Sequence, residues 1–78
     1  MNAEKVNKLY EVKDRNNYRV VSLPALQLLE NIGLRVGTIV VVLNRYAFGG
    51  PLVLRVADAY TIALGKDLAL QIVVEVET

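Results

Sequence analysis

The spacing of apolar positions changes character twice along the chain. Residues 1–8 are polar, with Val6 the only large apolar side chain before Leu9, and are expected to fray. Leu9-Tyr-Glu-Val12, the turn-prone Asp14-Arg-Asn-Asn17 and Tyr18-Arg-Val-Val-Ser-Leu23 then predict strand, turn, strand. From Pro24 the spacing becomes helical. Ala25, Leu28, Leu29 and Ile32 share one face, broadened by Leu26, and Gln27, Glu30 and Asn31 fall largely on the other. Proline suits a first helical turn, so a helix is predicted over about residues 24–32. Gly33 is placed to end it in a left-handed conformation, with Leu34 folding back on Leu29.

Beyond the turn Leu34-Arg-Val-Gly37 the period is two. Ile39, Val41 and Leu43 are followed by Leu52, Leu54 and Val56, then Tyr60, Ile62 and Leu64, and finally Ile72, Val74 and Val76. A single helical turn fits near residues 66–70. Short strands at this spacing, with glycine corners and one short helix, predict a mainly β fold. The expectation is a small SH3-like barrel of about five strands, forming a single domain over residues 1–78.

The run Thr38–Leu43 departs from a half-buried strand, because Val40 and Val42 make its second face apolar as well. Either the helix covers that face or something outside the domain does. The same strand leads into Arg45-Tyr-Ala-Phe-Gly-Gly-Pro-Leu52, where two glycines permit positive φ in a hairpin turn and Pro51 offers no N–H. Phe48 stands on that turn, where solvent favours a polar residue. It either folds back to cap the core or is an apolar contact point for a partner. The candidate partner-binding set is Val40, Val42, Arg45, Tyr46, Phe48, Gly49, Gly50, Pro51 and Leu52.

Composition narrows the chemistry. An apolar fraction of 54% exceeds the usual range of about 45–50%, pointing to a dense core, an apolar interface or both. Nine basic and eight acidic residues are dispersed along 78 positions, which disfavours a nucleic-acid backbone as ligand. The chain contains neither histidine nor cysteine, and Ser22 is its only serine. Nucleophile–base pairs of the Ser–His or Cys–His kind cannot be built, and zinc or similar metals lack imidazole and thiolate ligands. No catalytic residue, cofactor or metal is therefore expected. Glu75 and Glu77 share a strand face and read as a solvated surface rather than a cation site. Gly65-Lys66 fails the phosphate-loop pattern, and Tyr10, Tyr18, Tyr46 and Tyr60 lack the interleaved arginines of a base-stacking platform. No apolar run is long enough to span a bilayer, and Met-Asn-Ala-Glu-Lys lacks a signal-peptide layout, so a cytosolic location is expected.

The order of features is more specific than any one of them. A helix ending in Ile32-Gly33-Leu34, the turn Arg35-Val-Gly37-Thr38, an apolar strand, Arg45 and the turn Phe48-Gly-Gly-Pro51 come first. Ile62-Ala-Leu64 and Ala69-x-x-Ile72-x-Val74 follow. From about Val20 to Val76 this resembles the FeoA family, small cytosolic SH3-like proteins of bacterial ferrous iron transport. The family often has proline where Val36 stands, and another near Ala47-Phe48. The resemblance implies a protein partner, the FeoB-type membrane transporter with its cytosolic GTPase domain, and a non-enzymatic role in docking on or modulating it. Direct membrane insertion is not implied, and weak self-association stays open. FeoA-like domains also occur attached to metal-dependent transcriptional regulators, a context not expected here, since no DNA-binding helical region is read ahead of the domain. The competing classes are a nucleic-acid-binding small β-barrel, an SH3-like regulatory module, and an iron chaperone, the last opposed by the missing His and Cys.

Overall fold

Alternation from Thr38 onward produces consecutive strands, and the segments before it supply the rest of the sheet. The computed structural model describes residues 6–77. It contains β1 (Val6–Lys8), a 3-10 turn (Leu9–Glu11), β2 (Asn17–Ser22), α1 (Gln27–Asn31), β3 (Ile39–Arg45) and β4 (Leu52–Val56). β5 (Tyr60–Leu64), α2 (Lys66–Ala69) and β6 (Val73–Val76) complete it. All neighbours are antiparallel, in the order β1-β6-β2-β3-β4-β5. The mainly β, SH3-like expectation therefore holds with six strands in one curled sheet. No ladder joins β1 to β5 among the described residues, so the barrel is open between them.

The sixth strand is β1, which pairs with β6 from Val6↔Glu75 to Lys8↔Val73. Val6–Lys8 were expected to fray; the remainder of that expectation, residues 1–5, lies outside the described residues. Leu9–Val12 is not a strand. Leu9 and Val12 are both buried, at 0% and 6% exposure, and a 3-10 turn brings residues three apart to the same side. The Leu9 amide, donating to the Ile72 carbonyl at 2.7 Å, anchors that turn to the chain entering β6.

The helix is shorter than predicted at its start. Leu26 is extended, at φ −115° and ψ 131°, and its amide donates to the Pro24 carbonyl at 2.9 Å. Pro24 thus belongs to the approach, and Leu26 caps α1 by accepting from the amides of Leu29 and Glu30. The predicted end is correct. Gly33 has φ +84°, its amide reaches the Glu30 carbonyl at 3.0 Å, and that of Leu34 reaches the Leu29 carbonyl at 2.9 Å. This pair of bonds is the Schellman arrangement. It carries Leu29 and Leu34 into the core, while Leu28 stays exposed.

The core lies on one side of the curled sheet. Val40 and Val42 from β3, Leu52, Leu54 and Val56 from β4, and Val74 from β6 meet Leu9, Leu29, Leu34 and Ile72 there. Ile39, Val41 and Leu43 occupy the opposite face of β3 and are only partly covered. A bulge at Leu43, where Val42↔Leu54 steps to Asn44↔Val53, turns the end of β3 toward the hairpin that follows.

Candidate functional site: the braced tip of the β3–β4 hairpin

The hairpin closes through two backbone bonds, from the Tyr46 amide to the Pro51 carbonyl and from the Gly50 amide to the Ala47 carbonyl, both 3.2 Å. The central residues of the inner turn are Phe48 at φ +59° and Gly49 at φ +76°. Two left-handed residues match the twist of the strands they join. The turn is therefore set one residue earlier than the Gly-Gly pair suggests, and an aromatic residue occupies a position that glycine or asparagine would fill more easily. Gly50 is needed for a different reason. A Cβ there would lie 2.7 Å from the Cβ of Tyr46.

The tip is fixed from beneath. The Tyr10 hydroxyl donates to the Gly50 carbonyl at 3.0 Å, and the Lys66 ammonium stands 5.7 Å from the centre of the Tyr10 ring. At the foot of the hairpin the Arg45 guanidinium donates to the carbonyls of Tyr10 and Val12 and bonds the Asp14 carboxylate at 2.9 Å. Arg45 thus ties the 3-10 turn and the following loop to β3. Its donors face inward, so it is a brace for the site.

Above this base Phe48 is fully exposed, at 105%, and Tyr46 is half exposed. Burial rules out the capping reading of Phe48. It also corrects the candidate set at three places, since Val40, Val42 and Leu52 are all 0% exposed and line the core. With both faces of β3 apolar, alternation has no phase, and the inward set proves to be the even-numbered one. Gly49 and Pro51 remain at the surface beside Phe48, and Gly50 is partly covered.

Two apolar features were missed by sequence reasoning. A groove of about 340 Å³ runs beside α1, lined by Leu23, Pro24, Leu26, Leu34 and Val36 among others. A second cavity, of about 540 Å³ on the outer face of the sheet, is bounded by Asn17, Ile39, Val41, Arg55, Ala57 and Asp58. The available signal was the excess of leucines around α1 over what a five-residue helix can bury. No cluster of three or more acidic, histidine or cysteine side chains suited to a metal occurs among the described residues. Arg19 takes up the carboxylates of both Glu75 and Glu77, and Arg55 that of Asp58. The hydroxyls of Tyr10 and Tyr60 donate to backbone carbonyls, and that of Tyr18 accepts from the Lys13 amide, so three of the four tyrosines are engaged within the fold.

The FeoA domain model matches residues 7–76. The chain belongs to the FeoA family. A solved iron uptake regulatory protein (FeoA) is 31% identical, with a TM-score of 0.79 over 90% of this chain and 94% of that one. A FeoA-like protein from Clostridium acetobutylicum is 27% identical, with a TM-score of 0.79 over 95% of this chain and 90% of that one. A manganese-dependent transcriptional repressor is 25% identical, with a TM-score of 0.83, and there the likeness covers 92% of this chain but 42% of the repressor. No curated protein sequence matches the chain significantly.

Proposed function

We propose that this FeoA-family chain is a non-enzymatic, cytosolic accessory protein of bacterial ferrous iron transport. It docks through the β3–β4 hairpin tip on the cytosolic part of a FeoB-type transporter. The observation that carries this reading is Phe48, a fully exposed aromatic held at φ +59° on a hairpin braced by Tyr10, Lys66 and Arg45. A left-handed aromatic costs stability, and exposure returns none of it, so the gain must lie in a contact outside the fold. A rigid base suits such a contact, because little ordering entropy is then lost on binding. Tyr46 and Pro51 flank Phe48 and complete an apolar tip, while Arg45 supports it from within.

Two further observations support this class of function. The chain holds no histidine or cysteine from which nucleophilic catalysis or a soft-metal site could be built. Arg19, Arg45 and Arg55 each face a carboxylate, so these three side chains are engaged within the fold rather than arrayed for a phosphate backbone. Among the described residues no helix is long and apolar enough to cross a membrane.

The test is a binding titration against the isolated cytosolic portion of the transporter. Phe48→Ala is expected to weaken binding by about 2 kcal/mol or more, as loss of an aromatic hot spot does, with an unchanged melting temperature. Equal affinity for wild type and variant would refute docking through the tip.

A further inference from the structure

The Gly50 carbonyl takes its bond from a side chain 40 residues earlier in the sequence, Tyr10. That residue is gripped at both ends, since its own carbonyl accepts from Arg45 while its hydroxyl donates to Gly50. Its ring packs against the core, which gives the hydroxyl a fixed origin. Lys66, the first residue of α2, holds its ammonium 5.7 Å from the centre of that ring, within the range at which a ring face attracts a cation. The stem of Lys66 also runs beneath the turn. A Cβ at Gly49 would lie 3.6 Å from its Cδ and 3.7 Å from its Nζ, ordinary van der Waals separations. Lys66 makes no ion pair among the described residues, so the Tyr10 ring is the group its charge serves. α2 is itself anchored, by the fully buried Ala69 and by the Leu70 amide, which donates to the Lys66 carbonyl at 2.9 Å.

We infer that Tyr10 and Lys66 are positioning residues for docking, which set its affinity without touching the partner. This rests on docking through the tip and names what controls it. Left-handed backbone is sparsely populated for a residue other than glycine, so a turn with Phe48 at φ +59° has competing conformations. Phe48 is fully exposed, so its own side chain gives the fold no means of choosing among them. The choice falls to the bonds around it. The hairpin supplies two, from Tyr46 to Pro51 and from Gly50 to Ala47. Tyr10 supplies a third from outside the hairpin, and the Lys66 cation holds the ring from which it reaches. A partner that takes Phe48 in one conformation binds with an affinity reduced by the fraction of molecules in any other. The charge on α2 therefore governs affinity through the Tyr10 hydroxyl. Arg45 differs, because its bonds hold the segment between β1 and β2 and leave the turn itself alone.

Two measurements on the full chain test this, one on the free protein and one with the transporter's cytosolic portion. Tyr10→Phe removes the hydroxyl and keeps the ring. Lys66→Met removes the charge and keeps a stem of similar reach under Gly49, and Lys66→Arg keeps the charge. In the free protein, hydrogen exchange at the Gly50 amide, followed by NMR, reports opening of the turn. It is expected to be at least about threefold faster in Tyr10→Phe and Lys66→Met, and within about twofold of wild type in Lys66→Arg. Binding is expected to weaken by about two- to fivefold in the first two and to be restored in the third. Lys66→Met added to Tyr10→Phe should weaken it no further, because the hydroxyl that transmits the charge is already gone. Unchanged Gly50 exchange in Tyr10→Phe or Lys66→Met would overturn the inference. So would a Lys66→Met loss of the same size with and without the Tyr10 hydroxyl, which would make Lys66 a direct contact. So would binding that Phe48→Ala weakens and Tyr10→Phe does not, a result that leaves tip docking standing. Wild-type affinity in Phe48→Ala would instead overturn tip docking, and with it the control assigned to Tyr10 and Lys66.

Discussion

The hydroxyl of Tyr60 occupies the space that a β-carbon on Gly33 would need. A Cβ built at Gly33 would lie 1.8 Å from that oxygen, which itself donates to the Ile32 carbonyl at the end of α1. Gly33 is thus required twice, by its φ of +84° and by the approach of β5. Gly33→Ala is expected to destabilise the domain by about 2 kcal/mol or more, beyond the ~1 kcal/mol of a glycine cap alone. Tyr60→Phe removes the clashing atom, so the double variant should be less destabilised than the sum of the singles by about 0.5 kcal/mol or more. Urea midpoints of the four proteins check this, and strict additivity would mean that the two residues do not meet.

Arg45 offers a second test. Its guanidinium serves two carbonyls and one carboxylate on the segment between β1 and β2, a fork that lysine cannot reproduce. Arg45→Ala is expected to cost about 1.5–3 kcal/mol, the range for hydrogen bonds to a charged group, and Arg45→Lys to recover less than half of it. Hydrogen exchange should localise the loss to residues 9–14. A loss confined to transporter binding, with stability intact, would show that Arg45 is a contact residue instead.

Left-handed residues outside glycine give a third. Ala57 and Asp58, at φ +53° and +55°, turn β4 into β5, as Phe48 and Gly49 turn β3 into β4. Ala57→Gly and Phe48→Gly are each expected to stabilise by about 0.5–1 kcal/mol, because the relieved strain exceeds the added chain entropy. Phe48→Ala keeps the strain and should stay within about 0.5 kcal/mol of wild type. Thermal melts decide it. A destabilised Phe48→Gly would mean that the ring packs on the domain in solution.

What could be read before folding depended on whether a local signal had a rival. The end of α1 was legible because Gly33 had no competing role and Leu29 and Leu34 had the spacing of a Schellman contact. Its start was not, because Pro24 fits a first helical turn and an extended approach equally well, and only the Leu26 backbone separates them. Leu9 and Val12 suit a strand by composition, yet their separation of three was the decisive feature. Phe48-Gly-Gly concealed the turn register, since glycine tolerates the positions on either side of the one it must fill. At Phe48 the residues left two readings open, capping the core or standing exposed, and only the folded chain, with the residue 105% exposed, separates them. Val40 and Val42 were misread for want of a phase, and Leu52 was assigned to the tip although it shares the phase of Leu54 and Val56.

That phase yields the last prediction. β3 presents valine on both faces, with Val42 fully buried and Val41 only partly covered. Threonine has nearly the same shape and suits a strand, so Val→Thr at either position changes chiefly the polarity of one side-chain branch. At Val42 the hydroxyl enters the apolar core cluster that includes Leu9, Leu29, Leu54 and Ile72. Loss of its water contacts is expected to cost about 1–3 kcal/mol. At Val41 the hydroxyl keeps contact with solvent on the outer face beside Asn17 and Arg55, its cross-strand neighbours, and the cost should stay below about 1 kcal/mol. The order of the two melting temperatures therefore reports which face of β3 is inside. Val42→Thr melting well below Val41→Thr is the expected result. The reverse order would put the odd-numbered face in the core and return Val40 and Val42 to the surface as docking residues.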